Sequence, residues 1–413
     1  MECFVGYLVQ LCCAKDRTVR FRACQMLAGI TTTFTQDTQL DEMIQEELFE
    51  RLHERVRDKV AKVRLMASKA LAPLQDTSDP DDPALVSLLN AMSKDPSSEV
   101  RKCILNRIGV SSSTISDIWA RCTDIDPSIR KKSYVVLREK ISMDKITPNK
   151  IVFIINTGLS DLDGSVKSEC IELIKVWLKS QSNDVVKFLK YLNVVENELV
   201  VTPILKTIFQ FKKIENSEFI NSDEINCEFS LFWRVYCEWI VETKPFTEQD
   251  EIFQDILPDM MNLCELISKF RESQELDSNR FFVVYQLLSL CSLLDYADEI
   301  GRRETTNLMM NIIKTSDNER ELRLSIDVLI NIYSSNEEWG DKVLSVINLK
   351  YQSADENTDY SKTWTSILSI VYKFLEHTQK KATDSDMLEL LSTIIIPGSN
   401  NIVPAIHEKG LKC

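Results

Sequence analysis

Glycine and proline are scarce in this chain of 413 residues, which holds 9 Gly and 11 Pro, against ordinary shares of about 7% and 5%. Doubly wound folds need glycine at strand-to-helix turns, and all-β folds need it at hairpins. Both classes are disfavoured, and the chain reads as mostly helix. Histidine is scarcer still. His53, His377 and His407 are the three present and lie far apart in sequence, so acid–base chemistry lacks its commonest side chain. No G-x-S-x-G, G-x-x-x-x-G-K or G-x-G-x-x-G occurs. Nucleophile-elbow, P-loop and dinucleotide-binding chemistry therefore have no foothold. No pair among the 12 cysteines is spaced C-x-x-C, which removes the zinc and thioredoxin-like readings. Cys12 and Cys13 are adjacent, while Cys103, Cys170 and Cys227 sit singly in apolar helical patterns, as reduced thiols of a cytosolic or nuclear protein do. No run of about 18 apolar residues is present to span a membrane. The start, MECFVGYLVQLCCAKD, lacks a basic n-region and an A-x-A-like site, and reads as a helix rather than a signal peptide. These absences predict a non-enzymatic chain with no catalytic residues, cofactor site or metal site.

What is present is a large apolar fraction and an uneven charge. At 44% hydrophobic and 27% charged residues, the chain can bury a substantial core. Its net charge of −14 argues against simple nucleic-acid binding, because duplex DNA repels an acidic surface. The excess is not spread evenly. Residues 1–150 carry 23 Lys+Arg against 21 Asp+Glu, and residues 151–413 carry 26 against 42. Within Arg51–Ala70 seven basic residues face two acidic ones.

One pattern recurs: an Asp, four residues, an aliphatic residue, a basic residue, then apolar or small residues four and eight positions after the aliphatic. It reads Asp58, Val63, Arg64, Ala67, Leu71; then Asp95, Val100, Arg101, Ile104, Ile108; then Asp124, Ile129, Arg130, Ser133, Leu137. Asp161, Val166, Lys167, Cys170, Ile174 is a fourth copy, and Asp317, Leu322, Arg323, Ile326, Ile330 a late one. In the first copy, Val19, Arg20, Ala23, Leu27, the acid is displaced to Asp16. The basic positions from Arg20 to Lys167 fall 44, 37, 29 and 37 residues apart. Positions i, i+4 and i+8 share one helical face, the seam between stacked units. Ala23, Ala67 and Ser133 let backbones approach, the Asp can cap a helix start, and the basic residue can reach an Asp of an adjacent repeat. This is the second helix of a HEAT unit, and only stacking buries its apolar face. The predicted fold is an all-α HEAT-repeat α-solenoid, a superhelical stack of antiparallel helix pairs over residues 1–413. Its repeats are clearest over 1–180 and degenerate over 181–413.

Other landmarks fit helices joined by short turns. Pro83, at the end of Ser-Asp-Pro-Asp-Asp-Pro, suits a first helical position. Asp95-Pro96 and Asp126-Pro127 mark repeat turns, and Thr147-Pro148 opens a helix. From about 175 to 300 the pattern fades, but amphipathic segments continue at Val185–Leu192, Pro203–Phe211, Phe229–Val241 and Phe281–Leu294. Asn216–Cys227, Ser268–Asn279 and Gln352–Lys362 are polar and read as surface loops. Asn401, Ile406, His407 and Gly410-Leu411 begin a further degenerate copy that stops mid-helix, an expected truncation with an unfinished apolar face. Phe229, Phe232, Trp233, Tyr236 and Trp239 have helical spacing and read as core or a partner-helix groove ahead of a base-stacking platform.

Arg20, Arg64, Arg101, Arg130 and Lys167, with Asp58, Asp95, Asp124 and Asp161, are demanded by the repeat and read as a structural ladder. Lys15, Arg17, Arg22, Arg57, Lys59, Lys62, Lys102, Lys131 and Lys132 are not. Stacking places equivalent positions in rows, and rows of Lys and Arg can follow a phosphate backbone without reading bases. Ordinary solubilising charge is the competing reading.

The stretch from Lys15 to about Phe211 resembles the HEAT-repeat subunit of condensin, chromosome-associated protein G. KDRTVRFRACQML (15–27), RDKVAKVRLMASKALAPLQD (57–76), DPSSEVRKCIL (95–105) and IDPSIRKKSYVVLREKI (125–141) are similar to successive repeats of that family. So is GLSDLDGSVKSECIELIKVWL (158–178), and EFSLFWRVYCEWI with ILPDM echoes a later region. The resemblance implies a regulatory subunit that binds the kleisin subunit and duplex DNA without sequence specificity, for mitotic chromosome condensation. Separate ATPase subunits, contacted indirectly, would supply the work. It implies residence in the nucleus and on chromosomes with a cytoplasmic pool, and no membrane or small-molecule partner. Family members have further helices before the VRFR repeat and a second arm beyond this chain's last residue, so N-terminal helices are expected to be missing. The alternative is a protein-binding scaffold of trafficking or phosphatase type, which HEAT repeats also build.

Overall fold

The computed structural model describes residues 2–34, 41–215, 219, 225–272, 278–294, 296–333, 338–354 and 360–413. Helix starts are set by Asp and Asn. Asp16, Asp41, Asp82, Asp126, Asp163 and Asp184 each accept a backbone N–H of the following turn, as do Asn226, Asp298 and Asn318. Pro83, Pro127 and Pro148 occupy first helical positions, where the missing N–H costs nothing. Among the described residues there is no strand, and no helix is long and apolar enough to cross a membrane.

The chain divides into two compact units, Met1–Asn193 and Val194–Cys413. The first contains α1 (Glu2–Leu11), α2 (Arg17–Thr31), α3 (Glu42–Arg55), α4 (Ala61–Leu71), α5 (Pro83–Lys94) and α6 (Ser98–Arg107). It continues with α7 (Ile115–Ala120), α8 (Pro127–Lys140), α9 (Pro148–Leu159), α10 (Gly164–Ser180) and α11 (Val185–Leu189). Helices pair in order, α1 with α2 through α9 with α10, and the second members α2, α4, α6, α8 and α10 stack on one another. The repeated apolar positions form the seam. Val63, Ala67, Leu71, Ile129, Leu137, Val166, Cys170 and Ile174 are all 0% exposed. Full burial of each large aliphatic side chain contributes roughly 1.5–3 kcal/mol. Val19, the first copy's aliphatic, is instead 36% exposed.

Close approach is visible where α8, α9 and α10 meet. Tyr134 is fully buried and donates its hydroxyl to the Ile154 carbonyl at 2.9 Å. A Cβ on Gly158 would stand 2.6 Å from Cys170 Sγ and 2.7 Å from Tyr134 Cζ. Only glycine fits there.

The second unit contains α12 (Val194–Phe211), α13 (Cys227–Thr243), α14 (Phe246–Ile256), α15 (Met260–Glu272), α16 (Ser278–Cys291) and α17 (Glu299–Thr315). It ends with α18 (Glu319–Ile332), α19 (Glu338–Ala354), α20 (Tyr360–His377), α21 (Ser385–Leu390), α22 (Ile396–Ser399) and α23 (Pro404–Lys412). A π-helical segment, Leu391–Ile395, joins α21 to α22. Here α15 pairs with α16, α17 with α18 and α19 with α20, and α13, α16, α18 and α20 stack in sequence. The fading of the motif does not interrupt the helices. The three polar stretches read as loops are shorter than expected, because their edges are helical: Cys227 belongs to α13, Ser268–Glu272 to α15, Ser278 and Asn279 to α16, Gln352–Ala354 to α19 and Tyr360–Lys362 to α20. Most of the remainder of those stretches lies outside the described residues. Four of the five α13 aromatics are core: Phe229, Phe232 and Tyr236 are buried against Phe209 and Phe219, and Trp233 is buried against Phe229, while Trp239 is half-buried beside Phe209. Trp233 donates its indole N–H to the Ile256 carbonyl at 3.1 Å. In α23, Ile406 is buried and Leu411 is 66% exposed.

Candidate functional site

Along the edge where the second helices of the first unit begin, the repeated Asp and Arg residues join neighbouring repeats. Arg20 Nε lies 2.8 Å from an Asp58 carboxylate oxygen and Arg64 Nε 2.7 Å from Asp95. Arg101 Nη2 lies 2.7 Å from Asp124, and Arg130 Nε 2.6 Å from Asp161. Every one of these contacts is bidentate through Nε and Nη2. Planar guanidinium and carboxylate forks match in this way.

Nη1 of each arginine turns back into its own repeat. Arg64 donates to the carbonyl of Asp58, Arg101 to that of Asp95, and Arg130 to that of Asp124. Arg20 donates to Ala14, which stands where the later repeats carry Asp. The ladder acids are not the helix caps expected from sequence. Asp58, Asp95, Asp124 and Asp161 accept the N–H two residues on, at 2.8–2.9 Å. These are Asx-turns, and they leave the cap position to the residue two further on, Val60, Ser97, Asp126 or Asp163. Where that position is Asp126 or Asp163, its side chain caps in turn.

The electrostatics follow the geometry. Hydrogen bonds to Asp58, Asp95, Asp124 and Asp161 hold the respective Arg20, Arg64, Arg101 and Arg130 guanidinium groups above their ordinary pKa. Burial opposes ionisation of Asp58, but the Arg20 hydrogen bond and the Val60 N–H outweigh it and hold the carboxyl below its usual range. Asp161 is lowered chiefly by Arg130. Sequence reasoning missed two supports. Arg55 reaches Asp58 at 3.1 Å and Arg121 reaches Asp124 at 3.5 Å, a spacing readable afterwards as R-x-x-D.

Lys167 differs from the arginines. It is exposed, contributes favourably to ionisation of Asp161, and forms no ion pair among the described residues. Nor is the ladder continued at the late copy. Arg323 pairs within its own helix with Glu319 at 3.3 Å and lies over the Tyr372 ring, while Asp317 receives Lys350 Nζ at 3.2 Å.

The remaining basic positions flank the ladder. Lys15, Arg17, Arg22, Arg57, Lys59, Lys62 and Lys102 are exposed, and Lys131 and Lys132 are half-buried. Arg22 donates to Gln25 at 2.7 Å, and Lys131 lies 3.8 Å from Glu169. Lys15 and Lys59 hold one repeat position, directly after the ladder-acid position; Lys102 and Lys131 hold the position after the ladder arginine, and Arg22 and Lys132 the one beyond. At the turn position of Lys15 and Lys59, later repeats carry Ile125 and Leu162, 94% and 101% exposed. The basic row at that position therefore ends after two repeats.

Paired helices whose second members are tied by an Arg–Asp ladder define a HEAT-repeat α-solenoid protein. No family model matches the chain. It is 31% identical over 463 aligned residues to condensin complex subunit 3 of Schizosaccharomyces pombe, an alignment covering 97% of this chain and 52% of that protein. Condensin complex subunit 3 of Xenopus laevis is 26% identical over 374 residues, 84% of this chain and 36% of the relative. Among solved structures, the crystal structure of the S. pombe condensin Cnd3-Cnd2 subcomplex superposes with a TM-score of 0.87 at 27% identity, covering all of this chain and 54% of the matched one. These likenesses place the chain, over the residues it spans, in the condensin complex subunit 3 family. The chain spans about half or less of the length of the curated relatives it matches.

Proposed function

We propose that this chain acts as a non-catalytic regulatory part of condensin, binding the kleisin subunit and holding duplex DNA without reading its sequence. The observation that carries the kleisin part is the likeness, over the whole chain, to a subunit crystallised with Cnd2. Chromosomes and the nucleus are the corresponding location, with a cytoplasmic pool, and the condensin ATPase subunits would be reached only through the assembled complex.

The DNA part rests on a division of labour among the basic residues. Arg20, Arg64, Arg101 and Arg130 are consumed by the ladder. Lys15, Arg17, Arg57, Lys59, Lys62 and Lys102 stay exposed and form no ion pair with described residues. Stacked helices stand about 8–10 Å apart, whereas a DNA strand presents a phosphate every ~3.4 Å along its axis. Rows spaced by one repeat would therefore touch phosphates intermittently, which gives backbone holding without base readout.

The test is fluorescence anisotropy of labelled duplexes with the chain bound to a kleisin segment, at several salt concentrations. Combining Lys59→Glu, Lys62→Glu, Lys102→Glu and Lys132→Glu is expected to weaken unrelated sequences alike and to flatten the salt slope by roughly 0.9 per lost phosphate contact. Kleisin binding should persist. A quadruple variant that binds DNA like the parent would overturn the DNA part and leave a kleisin-binding condensin scaffold without DNA contacts at these residues.

A further inference from the structure

The second unit carries 21 Lys+Arg against 37 Asp+Glu over residues 194–413, and two grooves show where part of that charge is displayed. Each lies between two helices on adjacent layers of the stack. The larger, about 860 Å³, runs between α15 and α17, with Met261, Cys264 and Leu308 supplying its apolar lining. Met261 is 51% exposed. Glu265 and Glu272 stand on the α15 wall and Glu304 on the α17 wall, and none of the three forms an ion pair with a described residue. Among the described residues, Lys269 is the single cation lining this groove.

The smaller groove, about 250 Å³ between α19 and α21, is also acidic, lined by Asp341, Asp386 and Glu389. There the chain supplies its own cation. Lys380 Nζ lies 2.7 Å from Asp341 and 2.9 Å from Asp386, bridging the two walls. The unit therefore already holds one ammonium between carboxylates of α19 and α21. The α15–α17 groove offers three carboxylates of the same kind and an apolar surface, and among the described residues no lysine bridges its walls.

We propose that the α15–α17 groove is a docking site for a basic amphipathic segment of a partner protein. Its lysine or arginine would lie between Glu265 and Glu304, and an apolar side chain would cover Met261 and Leu308. The charge selects the sign of the partner, and the apolar surface distinguishes the site from a diffuse acidic field. This inference does not depend on the DNA reading, which rests on the basic positions of the first unit, or on the kleisin reading, which rests on the likeness to the Cnd3-Cnd2 subcomplex.

The probe is a synthetic amphipathic helix-forming peptide bearing Lys and Leu, with a Glu-for-Lys version as its counterpart, titrated against the full chain by calorimetry. Saturable binding of the Lys peptide alone is expected, and Glu265→Lys with Glu304→Lys should weaken it at least about tenfold. The milder Glu265→Gln and Glu304→Gln pair should weaken it less, and Leu308→Ser should weaken it without changing its salt dependence. Asp250→Lys with Glu251→Lys, exposed on α14, makes an equal change of charge outside the groove and should leave the affinity within about twofold. Equal weakening by the α14 pair, indifference to Glu265 and Glu304, or no saturable binding of the Lys peptide would each overturn the proposal.

Discussion

Arg101 holds both carboxylate oxygens of Asp124, at 3.0 Å through Nε and 2.7 Å through Nη2, while its remaining nitrogen is bound to the Asp95 carbonyl at 2.7 Å. Its repeat and the next are thus fastened by one planar group, with the arginine 9% and the aspartate 8% exposed. Solvated ion pairs contribute about 0–1 kcal/mol, but this pair is withdrawn from water. Arg101→Ala would leave the buried Asp124 carboxylate with only Arg121 at 3.5 Å and the Asp126 N–H, and a loss of about 1–3 kcal/mol is expected. Arg101→Lys should recover little, because a lysine cannot make the forked contact. Urea-dependent hydrogen exchange of the α6 and α8 amides measures both.

Acid should loosen the same edge. Asp58 and Asp161 have folded-state pKa values below the ordinary 3.8. Their contribution is therefore complete above that value and fades as pH falls through the lower folded one. Melting temperature should be nearly flat from pH 7 to 5 with respect to these groups and fall below about pH 4. Asp161→Asn should melt lower at pH 7 and show a shallower acid slope. An unchanged slope would mean that Asp161 does not carry its share.

Lys131 and Lys132 are neighbours with different surroundings, so charge reversal should separate them. Lys131 faces Glu169 at 3.8 Å, and Glu169 also accepts from Arg138 at 2.7 Å. Lys132 forms no ion pair with a described residue. In the DNA titration Lys132→Glu should weaken binding more than Lys131→Glu. The reverse order would place the contact on the other residue.

Gly410 is where α23 crosses α22. A Cβ there would meet the Gly398 carbonyl carbon and the Ser399 nitrogen, both at 2.4 Å. These are backbone atoms and cannot rotate away. Gly410→Ala should displace α23 and cost at least roughly 1–3 kcal/mol of local stability. Cys413 reports it: burial pushes this thiol up to about 11, and its Sγ lies 3.3 Å from the Leu368 carbonyl. Labelling of Cys413 by a maleimide should accelerate in the variant.

Much of the first unit was legible in the sequence because its repeats obey one local rule. Val63, Ala67 and Leu71 share a face by helical spacing alone, and the burial of all three follows from stacking. The Arg64-to-Asp95 contact was foreseeable as a reach between repeats, but not its second half. A backbone carbonyl has no letter in a sequence, so the bond from Arg64 to the Asp58 carbonyl could not be read. The Asx-turns were hidden for a related reason, since an Asp two residues before a cap looks like a cap. The second unit was less readable. Its polar network joins Glu198 to Arg320, 122 residues away, and Gln286 to Glu198 across 88. No fixed register announces such pairs. The α15–α17 groove likewise depends on side chains from two helices whose lateral separation no periodicity encodes.

The four rungs of the ladder close over 38, 31, 23 and 31 residues of chain, yet each ends in the same forked contact. Length differences are taken up before the rung, as where α7 spans only six residues. The rung therefore behaves as a standard coupling, indifferent to what lies between two joints. A repeat could be excised from one Asx-turn to the next and the cut ends rejoined, with Arg64 then meeting Asp124 in place of Asp95. Insertions and deletions in this unit would be tolerated in first helices and their loops, and rejected within the five residues that separate Asp58, Asp95 and Asp124 from Arg64, Arg101 and Arg130.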